Sequence, residues 1–158
     1  MAIVFLGLGS NLGNKELNIK KALELIEQKA GALKTVSSFY HSKAWGYISE
    51  NEFVNIVAEV ESTLTPTELL NILKQIEKEL GRATKTIFGY EDRVIDIDIL
   101  FYDNLILNTP ELKIPHPLLG KRDFVLYPLA EIAPDFIHPV LNQSSEWLKN
   151  KLSHQAND

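Results

Sequence analysis

The chain has 158 residues, no cysteine, and 16 basic against 21 acidic residues for a net charge of −5. That length suits one domain, able to bury roughly 70% of its unfolded surface without staples. Without cysteine there are no disulfides, thiolate metal sites or cysteine nucleophile, which fits a reducing cytoplasm. The acidic balance argues against a general nucleic-acid binder, so any phosphate ligand needs a local basic pocket.

Ile3 to Leu8 reads as a buried strand; the run is too short to span a membrane and has no basic residue before it, unlike a signal peptide. "GSNLGN" follows as a turn. "KELNIKKALELIEQKAG" places Leu17, Leu23 and Ile26 at helical recurrence, and Gly31 ends it. "TVSSFYHS" reads as a second strand and "KAWGYISENE" as a loop. In "FVNIVAEVES", Val54, Ile56, Ala58 and Val60 alternate onto one face of a third strand. Thr65 and Glu68 form a capping box with Pro66 at the first helical position; Leu69, Ile72, Leu73, Ile76 and Leu80 make the stripe, and Gly81 closes the helix. A basic, aromatic loop, "RATKTIFGYED", leads into the strand "DRVIDIDIL". A short strand near "LILN", a short helix over Val125 to Ile132 and a last helix over Ser145 to Leu152 complete the chain.

Strand, helix, strand, strand, helix, strand, then a helical tail is the pattern of an α+β, ferredoxin-like sandwich. A βαββαβ core would place two helices on one face of an antiparallel sheet, leave the other face free for a ligand, and carry a C-terminal helical extension. We expect one domain over residues 1–158.

Asp96 and Asp98 are two apart on a strand, so both point to one face, with Cα atoms about 6.5–7 Å apart. Carboxylates so placed can share one or two hard cations; oxygen ligands without cysteine favour magnesium over zinc. Ile95, Ile97 and Ile99 are left to pack on the helices. The plain alternative is a surface strand whose acids face water. Arg82, Arg93 and Arg122 fall beside this strand in loop segments, and the planar guanidinium suits phosphate. His116 stands between two prolines near Lys113, Lys121 and Arg122, placed to donate to a phosphate or simply to pack in a turn. Trp45, Phe53, Phe88, Tyr90 and Phe124 lie in or beside the loops and the face bearing Asn55; two rings with an amide at the edge suit a flat heterocycle. "GLGSNLG" has the wrong spacing for a dinucleotide fingerprint and does not end as a phosphate loop.

The segments "GLGSNLGN", "TVSSFY", "FVNIV", "ELLNILKQIEKELGR", "DRVIDIDILFYDN" and "IPHPLLGKRDFVLYPLAEIAP" occur in that order. Together they resemble the 6-hydroxymethyl-7,8-dihydropterin pyrophosphokinase family of folate biosynthesis, over about Ile3 to Asp135. The resemblance implies transfer of diphosphate from ATP to the pterin hydroxymethyl group, with release of AMP. It implies two magnesium ions on Asp96 and Asp98, and a catalytic set of Arg82, Arg93, Asp96 and Asp98. The ATP phosphates would meet Arg82, Arg93, His116 and Arg122, with Lys113 also among the ATP contacts; Leu70, Glu77 and Ile99 would hold the adenine and ribose. The pterin would sit between Phe53 and Phe124, with Ser42 and Asn55 at its edge and Gly9 and Trp45 completing the set. Residues 43–52 and 82–92 would be lids. The expected partners are ATP and the pterin, with no nucleic acid or membrane, in a cytoplasmic monomer. Two rivals stand beside this reading: another magnesium-ATP phosphotransferase, and a non-catalytic ferredoxin-like ligand-binding module.

Overall fold

The computed structural model describes residues 1–42, 52–81 and 94–156. Five strands, β1 (Ala2–Ser10), β2 (Ala32–Val36), β3 (Tyr40–Ser42), β4 (Phe53–Ser62) and β5 (Asp96–Tyr102), form one antiparallel sheet. β1 is central, between β4 and β5, while β2 and β3 both pair with the far edge of β4. Helices α1 (Lys15–Lys29) and α2 (Pro66–Glu79) follow β1 and β4. The α+β class and the antiparallel sheet are as the sequence pattern indicates.

The segment expected as one strand over "TVSSFYHS" is two. β2 ends at Val36 and β3 begins at Tyr40. Between them Ser37 takes over the ladder: its N–H donates to Val57 O at 2.9 Å, and its Oγ accepts from Val57 N at 2.9 Å. A side-chain oxygen that substitutes for a backbone acceptor lets the chain step without orphaning Val57.

Alternation decides the two faces. Val4, Leu6 and Leu8 of β1, Val54, Ile56, Ala58 and Val60 of β4, and Ile97 and Ile99 of β5 are buried under α1 and α2. α2 begins as its sequence requires: Thr65 accepts from Glu68 N, Glu68 accepts from Thr65 N, and Pro66 occupies the first turn. Its stripe buries Leu69, Leu73 and Ile76, and Gly81 ends it at φ +115°, a conformation open to glycine. On α1 the buried face is Ile19, Ala22 and Ile26, while Leu17 is exposed. Leu17 sits in the first turn, where its N–H donates to the Asn14 cap at 3.2 Å, on the side away from Ile19, Ala22 and Ile26.

The second face is not left free. α3 (Asp123–Ile132) and α4 (Ser145–Ala156) dock on part of it, each two to four residues longer than the sequence pattern suggests. Val125, Leu126, Leu129 and Leu148 close a second core with Phe5, Val57, Leu100 and Phe101. A β-bulge makes this possible. Leu6 pairs with Ile99 but Phe5 pairs with Phe101, so Leu100 is the extra residue. Leu100 and Phe101 therefore both turn to the second face, where Phe101 meets Phe5 and His138 edge to face and Phe136 at a tilt. A short ladder, β6 (Leu107–Asn108) with β7 (Lys113–Ile114), returns the chain to the sheet end, where His116 N donates to Leu100 O at 3.1 Å.

Candidate functional site

The open part of the second face is built on glycine. In the β1–β5 ladder Gly9 lies opposite Asp96 and Gly7 opposite Asp98. Across β4, Gly9 also faces Asn55, which in turn faces Tyr40 of β3. Residues directly opposite share a face, so Asp96, Gly9, Asn55 and Tyr40 form one rung. Strands about 4.8 Å apart put Asp96 and Asn55 roughly 10 Å from each other with only a bare Cα between. The Asn55 side chain lies over that glycine and donates through Nδ2 to Ser42 Oγ at 3.3 Å. Phe53, two residues before Asn55 on β4, flanks the same spot.

Asp98 is where the third layer converges. His116 Nε2 is 3.9 Å and Arg122 Nη1 4.0 Å from Asp98 Oδ2, and Asp98 keeps 35% of its side chain exposed. The histidine contact is not an ion pair at neutral pH. Burial first, then the Arg122 charge, pushes the imidazole down to about 4, against the opposing pull of Asp96. His116 Nδ1 accepts from Leu118 N at 3.2 Å, so its proton sits on Nε2, turned toward the carboxylate. Arg122 also lies over the ring of Phe124, 5.4 Å from its centroid. Thus one segment, 116–124, delivers a neutral N–H donor, a guanidinium and a ring to the edge of the aspartate strand.

The structure places the other expected residues less uniformly. Ser42, Asn55, Phe53 and Gly9 are gathered; Asp98, His116, Arg122 and Phe124 are gathered. Ile99 is buried in the helix-side core, so its side chain packs rather than faces a ligand. Leu70 is half-buried on α2, and Lys113 is exposed on β7. Glu77 is buried and accepts from Ile97 N at 2.9 Å through Oε2. Arg82, Arg93, Trp45, Phe88 and Tyr90, and the lids expected over 43–52 and 82–92, lie outside the described residues, Glu52 apart. Among the described residues no group of three or more acidic, histidine or cysteine side chains gathers as a metal cage. Two carboxylates on one face still fit magnesium, which keeps several waters and takes substrate phosphates to fill its shell.

Tyr40 and Asp123 are a pair that sequence reasoning passed over. Tyr40 Oη donates to Asp123 Oδ2 at 2.9 Å, and its ring stacks on Tyr127. Burial, then this hydrogen bond, raises the phenol to about 12. The bond ties β3, which carries Ser42, to the first turn of α3, beside Arg122 and Phe124. The residues are 83 positions apart, and no local pattern announces such a link.

The profile of the family described as 7,8-dihydro-6-hydroxymethylpterin-pyrophosphokinase (HPPK) matches residues 5–134. The chain belongs to this family. Among HPPK relatives, the 2-amino-4-hydroxy-6-hydroxymethyldihydropteridine pyrophosphokinase of Aquifex aeolicus is 47% identical over 140 residues, 89% of this chain and 86% of that protein. Its namesake in Porphyromonas gingivalis is 45% identical over 141 residues, 88% of this chain and 95% of the relative. Among solved structures, a Plasmodium falciparum HPPK-DHPS triple mutant superposes with a TM-score of 0.82 at 17% identity, over 99% of this chain and 44% of that one. At that identity the likeness speaks for the fold, and this chain spans under half of the fused protein. No helix of the described residues is long and apolar enough to cross a membrane.

Proposed function

We propose that Asp96 and Asp98 hold magnesium and its ATP beside a pterin that lies along the Gly9–Asn55 rung, in a single pyrophosphokinase domain over 1–158. The reaction is that of the family: an HPPK transfers diphosphate from ATP to the hydroxymethyl group of 6-hydroxymethyl-7,8-dihydropterin in folate biosynthesis, and AMP leaves. The observation that carries the assignment is the rung itself, with Asp96 and Asn55 on one face and nothing larger than glycine between them.

Transfer at phosphorus asks a protein chiefly for positioning and charge neutralisation. The Asn55 amide, held by Ser42, reads the edge of the heterocycle, and Phe53 and Phe124 take its two faces. The His116 Nε2–H and the Arg122 guanidinium donate to phosphate oxygens at the Asp98 end. Arg82 and Arg93 take the remaining phosphate charge, on the strength of the family resemblance. Leu70, Ile99 through its main chain, and Lys113 belong to the ATP side. Magnesium, when bound, supplies charge neutralisation and an anchor that aims the hydroxyl at the β-phosphorus; two ions suit the spacing of the carboxylates. Asp98, which lies nearest the donors, is our assignment for the hydroxyl proton. The sheet order of β1, β2, β4 and β5 supports a ferredoxin-like sandwich, and the absence of cysteine supports a cytoplasmic enzyme, which we take to act as a monomer.

Incubation with ATP, magnesium and 6-hydroxymethyl-7,8-dihydropterin tests the reading. AMP and the pterin diphosphate are expected. ADP would mean a simple kinase, and free pyrophosphate a nucleotidyl transferase.

A further inference from the structure

β5 is an edge strand of the main sheet. Its inner edge is used by β1, through the pairs Gly9 with Asp96, Leu8 with Ile97 and Gly7 with Asp98. The N–H of Ile97 turns the other way, and Ile97 is buried. An N–H in that position costs about 1–3 kcal/mol if nothing accepts it. A nonpolar helix face would be the ordinary neighbour here, and α2 supplies Leu69, Leu73 and Ile76 to the same core. At the next position along the helix it instead supplies Glu77, buried to 5% exposure, whose Oε2 accepts the Ile97 N–H at 2.9 Å. Burying a carboxylate is costly, so a sequence that only needed a filled core has no use for one there.

The peptide that Glu77 grips joins Asp96 to Ile97, so it adjoins the first aspartate and lies one residue from the second. We propose that Glu77 is a positioning residue for the aspartate pair rather than an adenine or ribose contact. Its bond fixes the height of β5 over α2, and so sets how far apart and at what tilt Asp96 and Asp98 present their oxygens. Outer-shell carboxylates that orient metal ligands act in this way. The role rests on the assignment of Asp96 and Asp98 as the metal-holding pair.

The test compares Glu77→Leu, which removes the acceptor, Glu77→Asp, which keeps the charge but falls one methylene short, and Glu77→Gln, which restores an acceptor. The first readout is hydrogen exchange at the Ile97 amide, without any ligand. It is expected to quicken about tenfold in the Leu and Asp proteins, the loss of one hydrogen bond to a charged acceptor, and to stay near wild type in the Gln protein. The second is Mn²⁺ binding, followed by electron paramagnetic resonance with a non-hydrolysable ATP analogue and no pterin. Its half-saturation is expected to rise about tenfold in the Leu and Asp proteins and less in the Gln protein. Unchanged Ile97 exchange and unchanged Mn²⁺ binding would overturn the role. So would weaker binding of the ATP analogue without metal, of the same size as the Mn²⁺ effect, which would return Glu77 to the nucleotide. Should the Leu protein fail to fold, the Asp protein gives the same two answers. If the wild type makes no AMP, the catalytic reading fails, while both readouts, made without turnover, still decide Glu77.

Discussion

A methyl group on Gly9 would stand 2.5 Å from the side-chain oxygen of Asn55. Nothing else so small fits, and the amide that reads the pterin edge in our assignment depends on that gap. Gly9→Ala is expected to drive the Asn55 amide off Ser42 and to cost about 1–3 kcal/mol in pterin binding, a KM raised roughly five- to 150-fold. The KM for ATP should move little. Steady-state kinetics with each substrate varied in turn measures both, and equal rises in the two would count against the rung as the pterin seat.

Asp98→Ala removes the carboxylate that lies 3.9 Å from His116 Nε2 and 4.0 Å from Arg122 Nη1. Charge stabilisation by a bound metal is worth several kcal/mol, so kcat is expected to drop about a thousandfold or more. The fold should hold, because Asp98 is partly exposed and lies outside both cores. Far-ultraviolet circular dichroism and an AMP assay on the same sample separate the two effects. Turnover near wild type would remove Asp98 from the reaction.

Magnesium should stabilise the protein only in company. Asp96 and Asp98 repel each other until a cation lies between them, and ATP supplies the remaining ligands of that cation. At a hundredfold excess over Kd, the magnesium–ATP pair is expected to add about 2.7 kcal/mol and raise Tm by roughly 5–10 °C. Chelation of magnesium with ATP still present should reverse most of that rise in a thermal melt.

His138 gives the fold an acid-side weakness. The imidazole is buried, its Nδ1 accepts from Val140 N and Leu141 N at 3.1 and 3.0 Å, and burial lowers its pKa below the ordinary 6.5. The unfolded chain therefore binds the proton more readily in that range. The stabilisation is complete above pH 6.5 and is lost as pH falls below it. Because His116 titrates in the same direction, the comparison is with His138→Asn, whose Oδ1 can replace Nδ1. Urea unfolding at pH 7 and pH 5 should show a smaller loss in the variant than in wild type.

Tyr40 sets the matching limit on the alkaline side. Its phenol is raised from 10 to about 12, so its contribution is whole below pH 10 and disappears as pH climbs toward 12. Burial raises Tyr102 as well, so a spectrophotometric titration should show both phenols ionising late. Tyr40→Phe should remove the Tyr40 share of that late absorbance change and about 1–2 kcal/mol of stability.

What the sequence makes legible are features with a local period or a fixed spacing. Ile97 and Ile99 of β5 go to the helix-side core and the aspartates go out; Thr65, Pro66 and Glu68 start α2; the ordered segments give the family. Leu17 misleads because recurrence alone does not say which side of α1 meets the sheet. Ser37 hides a break between two strands because its side chain imitates a ladder partner. The docking of α3 and α4 on the second face depends on Leu100 and Phe101 turning the same way, which no alternating pattern predicts. The meeting of His116 and Arg122 at Asp98 depends on a return of the chain after β7, across 18 and 24 positions. Glu77 stands as an adenine or ribose contact, on the family resemblance, until its partner on β5 is known.

The extra residue at Leu100 also decides what can change around it. Upstream of the bulge the aspartates face the second side on even positions; downstream, Phe101 reaches that same side on an odd one. The two halves of β5 are thus out of phase and cannot slide together by one residue without burying the acids or exposing Phe101. The orientation of Asp96 and Asp98 is therefore locked from the C-terminal end of the strand. Lineages of this fold are free to gain or lose residues in the segment before Val94 without turning the carboxylates over, and loss of Leu100 itself would straighten the ladder with Asp98 still opposite Gly7 and Phe101 still opposite Phe5, at the cost of one buried side chain in the second core.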